Sequence, residues 1–157
     1  MTRISAVLGI AFVTLGIAVP VLAMPHSDSS HAAHEARLAF DQGRKWATDE
    51  PLRRHMGEIR AALSQRSGDI LAGRLTDRQA QDLGTLIEAR VALIVTDCKL
   101  PPEADANLHL IVADLVEAAE ILQGRTKQKP QRGTAIAARA AQMYATYFDH
   151  PGWKPVY

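Results

Sequence analysis

Apolar residues return at helical spacing in four stretches, and no segment alternates apolar and polar residues with period two. In the first, Leu52, Met56, Ile59, Leu63 and Ile70 follow steps of four, three, four and seven, which is one face of a helix. T-D-E-P at 48–51 marks its start, because Thr48 or Asp49 can cap free backbone amides and Pro51 fits a first turn. Gly73 supplies the left-handed residue that ends it. A second helix opens on a capping box of Thr76 and Gln79 and carries Ala80, Leu83, Ile87, Val91, Ile94 and Cys98 on one stripe. Pro101 and Pro102 stop it.

The third stripe is the most regular: Leu108, Ile111, Leu115, Ala118 and Leu122 alternate steps of three and four before Gly124. RTKQKPQRG, residues 125–133, reads as a linker. Ile136, Ala140, Met143 and Tyr147 then mark a fourth helix, which must end near Asp149 because Pro151 and Gly152 cannot continue it. Four helices joined by short turns pack as antiparallel neighbours. The expected fold is therefore all-α, an up-down-up-down four-helix bundle over residues 48–157.

Ahead of the bundle, residues 1–23 have the pattern of a cleaved secretory signal peptide: Arg3, an apolar run from Ile4 to Val19, Pro20, and V-L-A before Met24. An uncleaved anchor is the alternative, since the run approaches the length of a spanning helix. Cleavage implies a periplasmic protein with no further membrane association. Residues 24–47 read as a flexible arm holding His26, His31 and His34, with a short helical turn expected around Ala36–Trp46. Such histidines can capture a metal loosely, although a solvated linker explains them as well.

Composition then narrows the chemistry. Loss of Arg3 with the signal peptide leaves basic residues equal in number to the 17 acidic ones, so the basic surplus that displaces counterions from nucleic-acid phosphates is absent. One cysteine, Cys98, permits no intramolecular disulfide, and the fold must stand on its apolar core. No Ser-His-Asp or paired-carboxylate arrangement points to catalysis.

Antiparallel topology gathers Met56 and His55, Cys98, His109, Met143, Tyr144, Tyr147 and the F-D-H-P-G-W segment at one bundle end. A site centred on Cys98 and His109, completed by Met56, His55 or Met143, would select copper(I) or zinc, because thiolate, thioether and imidazole are soft or borderline donors. A second alternative is b-type haem held between Met56 and His150. The leading expectation is a non-enzymatic structural or partner-binding module. In it Tyr144, Tyr147, Phe148 and Trp153 form an aromatic lid that offers a surface to a protein partner.

T-D-E-P-L-R-x-x-M at 48–56, C-K-L-P-P-E-A-D-x-x-L-H at 98–109 and F-D-H-P-G-W at 148–153 resemble a group of small, uncharacterised exported proteobacterial helical proteins, some of which carry a DnrO-like label. The resemblance implies a Gram-negative periplasm and carries no substrate.

Overall fold

The computed structural model describes residues 27–157; the expected signal peptide, residues 1–23, and His26 lie outside them. Every regular element among the described residues is a helix: α1 Ser27–Arg37, α2 Glu50–Gln65, α3 Ser67–Leu71, α4 Asp77–Asp97, α5 Pro102–Leu122 and α6 Pro130–Tyr147. None is long and apolar enough to cross a membrane. The four long helices form a closed ring of neighbours, with α5 against α4 and α6, and α2 against α4 and α6.

Three of the starts follow from sequence chemistry. Asp49 caps α2, its Oδ1 accepting the Leu52 amide at 2.9 Å. Its Oδ2 takes the Lys99 amide at 2.6 Å, so one carboxylate ties the start of α2 to the end of α4. Thr76 and Gln79 form the expected reciprocal box at the start of α4, an arrangement whose loss costs about 1 kcal/mol. Pro102 occupies the first turn of α5, where a missing amide costs nothing.

Three boundaries depart from the sequence expectation. The first long helix breaks at Arg66, whose φ of −108° and ψ of 8° leave the helical range, and the short α3 follows before Gly73 at φ 64°. The fourth begins at Pro130 rather than beyond residue 133, because proline fits a first turn as well as a linker. The N-terminal helix lies at Ser27–Arg37 instead of Ala36–Trp46. Residues 38–47 cannot be helical, since Gln42 and Gly43 both have positive φ and reverse the chain between Asp41 and Arg44.

The core is built from the four predicted stripes. Leu52, Met56, Ile59, Leu63, Leu83, Ile87, Ile111 and Leu115 are essentially solvent-free, each contributing about 1.5–3 kcal/mol of burial. The α5 helix is gripped at two glycines. A Cβ on Gly84 of α4 would stand 2.9 Å from the Ala119 carbonyl oxygen, and one on Gly133 of α6 would stand 3.0 Å from that of Ala118. Trp46 pairs with the chain after α6, its amide donating to Tyr147 O and its carbonyl accepting from Asp149 N, both at 2.8 Å.

Candidate functional site

One buried acid breaks the apolar face of α5. Asp114 lies among Ile111, Leu115 and Ala118 with only 4% of its surface exposed. An ionised carboxylate in that position needs partners, and they come from α1. His31 Nδ1 lies 2.8 Å and His34 Nδ1 2.7 Å from the same oxygen, Asp114 Oδ1. The spacing of three residues puts both rings on one face of α1. Arg139 of α6 secures that helix by pairing with Glu35 and donating to the His31 carbonyl at 3.3 Å.

His31 faces a carboxylate at each ring nitrogen. Its side chain is 4% exposed, and Nε2 faces Glu117 Oε1 at 3.4 Å without a hydrogen bond of ordinary geometry. A neutral imidazole carries one N–H, so either tautomer sets an unprotonated nitrogen against a carboxylate oxygen. An imidazolium, a protonated carboxyl on either neighbour, or a metal ion on Nδ1 with Nε2–H donated to Glu117 would each relieve this. The last is the carboxylate–histidine–metal arrangement by which proteins orient metal-bound imidazoles.

His31, His34 and Asp114 are the one group of three or more His, Cys, Asp or Glu among the described residues whose donor atoms converge, all within 4.8 Å of one another. Donors on a tetrahedral ion with bonds of about 2.0–2.1 Å stand about 3.3–3.5 Å apart. Opening the hydrogen-bonded contacts to that separation takes a shift of roughly 0.6 Å, within reach of the soft terminal torsion of an aspartate. His34 is the most exposed of the three, its side chain at 25%, and opens the group to solvent.

The residues singled out from sequence are distributed differently. Cys98 and His109 share a cleft of about 150 Å³ between α4 and α5, with Ile94, Leu108 and Val112 among its walls. His109 is largely exposed and its Nδ1 lies 2.8 Å from the Asp105 carbonyl oxygen. The Cys98 thiol is pushed up to about 12 by burial and then by the Asp49 carboxylate that accepts its hydrogen bond, which opposes formation of a thiolate ligand. His55 is buried, with Glu58 and Asp97 carboxylates 3.6 and 3.8 Å from its ring nitrogens. It does not join Cys98 and His109 in a convergent donor group. Met56 is buried in the core and Met143 packs against it half-buried.

Two of the four aromatics expected in the lid turn inward, while Tyr147 and Trp153 are half-buried. Tyr144 and Phe148 are buried and stack with ring centroids 5.5 Å apart, while Trp153 meets Tyr144 edge-on at 4.9 Å. His150 Nδ1 is 3.0 Å from the Tyr144 hydroxyl, so this histidine belongs to the aromatic cluster.

The site at α1 had a faint trace in the sequence. H-A-A-H at 31–34 is a pair at one-turn spacing, and Asp114 interrupts the most regular apolar stripe of the chain. What linked them, contact across 80 residues, has no local signature. No protein-family model, curated protein or solved structure matches this chain.

Proposed function

We propose that the chain is an exported, non-enzymatic helical module that binds one divalent transition-metal ion through His31, His34 and Asp114. Its setting in this reading is the periplasm of a Gram-negative bacterium, after cleavage of residues 1–23, with the four long helices arranged as an up-down-up-down bundle. The observation that carries the proposal is the placement of His31 between Asp114 and Glu117, with His34 arriving at the same Asp114 oxygen. Two carboxylates, Asp114 and Glu117, face the histidines, and the guanidinium of Arg139 is paired with a third, Glu35. That surplus of negative charge favours a cation.

Two imidazoles and a carboxylate suit zinc or copper(II) and lack the sulfur that selects copper(I). Three protein donors leave a coordination position for an exchangeable ligand, which suits capture and release of the ion. Glu117 orients His31 from its far nitrogen. The test is zinc titration of chelator-stripped protein against a competing chromophoric chelator. Binding tighter than about 1 µM, equivalent to about −8 kcal/mol, is expected in the wild type and in Cys98→Ser. His34→Ala and Asp114→Asn should lose it. No binding at micromolar zinc, or binding removed by Cys98→Ser and His109→Ala instead, overturns the assignment.

A further inference from the structure

We propose that filling this site seats α1 on α5, so that metal occupancy is converted into order of the N-terminal helix. The proposal rests on the metal-binding reading above. Its independent support is the composition of α1, SDSSHAAHEAR, which contains no apolar side chain larger than alanine.

A helix normally docks through an apolar stripe that it removes from water. The α1 helix has none, and at 11 residues it is too short to be stable alone in water. Among its described side chains, the polar attachments to the rest of the protein are His31 and His34 to Asp114, His31 to Glu117, and Arg139 to Glu35 and the His31 carbonyl. Of these, the Arg139–Glu35 pair is solvent-accessible and worth little by itself. Two of the three metal donors come from α1 and the third from α5. An ion bridging them therefore replaces the missing apolar anchor, while α1 supplies the donors that complete the site.

The hinge of this latch lies at the end of α1. Leu38 is buried, the Ala39 amide donates to Asn107 Oδ1 at 2.8 Å, and the Trp46 indole N–H donates to the Ala39 carbonyl at 2.7 Å. Those contacts hold residues 38–46 against the body of the protein without any metal. Release of the ion frees only the segment ahead of Leu38 and leaves Asp114 and Glu117 on α5 to receive another.

The experiment is amide hydrogen exchange on the purified full chain, read at residues 31–38 with and without zinc, beside the chelator competition on the same samples. With zinc at one hundred times its dissociation constant, exchange in this segment should slow by about 100-fold, since a ligand that binds only the seated form protects it by that ratio. Amides in α4 and α6 should change little. His34→Ala removes a donor from α1 itself, where it cannot unfold the core, and should abolish the zinc-dependent protection. Asp114→Asn should do the same from the other side. Zinc bound with unchanged exchange at residues 31–38 overturns the latch and leaves the metal site standing. Absence of zinc binding removes both.

Discussion

A single added methyl group should have opposite effects at two glycines of this fold. In the interior of a helix, glycine to alanine contributes about 0.5–1 kcal/mol where space allows, because alanine restricts the unfolded chain and shields the backbone. At Gly57 of α2 a new Cβ meets nothing within 4 Å, so Gly57→Ala should stabilise by that amount. At Gly84 of α4 the same Cβ meets Ala119 O, Gln123 Cγ and Leu122 Cβ, all at 2.9 Å. The glutamine can swing aside, but a carbonyl of α5 and a Cβ fixed to its backbone cannot. Overpacking of this kind costs about 1–3 kcal/mol. After the propensity gain is set against it, Gly84→Ala should destabilise by about 0.5–2 kcal/mol, roughly 1–3 kcal/mol away from Gly57→Ala. Urea unfolding followed by far-UV circular dichroism measures both. A Gly84→Ala midpoint at or above wild type would refute the close approach of α4 to α5, and equal losses in the two variants would refute the packing argument altogether.

Two further outcomes concern the end of the molecule near Cys98. With its thiol pushed up to about 12 from 9.0, chiefly by burial, Cys98 should react with a disulfide reagent at pH 8 at least about 30-fold more slowly than an ordinary thiol, since the loss of thiolate outweighs the greater nucleophilicity of the thiolate that remains. Asp49→Asn keeps a competent helix cap and removes the second cause, so labelling should accelerate several-fold; an ordinary labelling rate in the wild type would overturn the burial argument. His150 is held below its usual value of 6.5, first by burial and then by Arg53 and Arg60. The unfolded chain then takes up the proton more readily, so this contribution is intact above that value and is lost as pH falls below it. His150→Gln should reduce the drop in urea midpoint between about pH 7.5 and 5.5, and an unchanged drop would show that other groups set the acid sensitivity.

The helices were legible wherever an apolar stripe met a cap. Thr76 with Gln79, Gly73, Gly124 and the Pro101–Pro102 pair all act as their residue types dictate. The break at Arg66 was hidden because the stripe steps from Leu63 directly to Ile70 and asks nothing of the residues between. The α1 helix was missed for the opposite reason, since it has no stripe and is placed by histidines that face an acid far along the chain. Asp114 was the available clue: a carboxylate inside a core-facing pattern requires a partner. Linear spacing brought Cys98 and His109 to one cleft but could not show that carboxylates would surround the thiol.

The pairing of Trp46 with Phe148 also bears on what the C-terminal segment contributes. It joins positions at the two ends of the core, and Ser64 reaches further still, donating from its hydroxyl to the Val156 carbonyl at 2.6 Å. Without residues 148–157 the Trp46 carbonyl loses the Asp149 amide and the Ser64 hydroxyl loses its acceptor, while α6 still packs on α2 and α5. Removing residues 148–157 should therefore cost at least the roughly 3–5 kcal/mol that goes with losing a buried aromatic side chain such as Phe148.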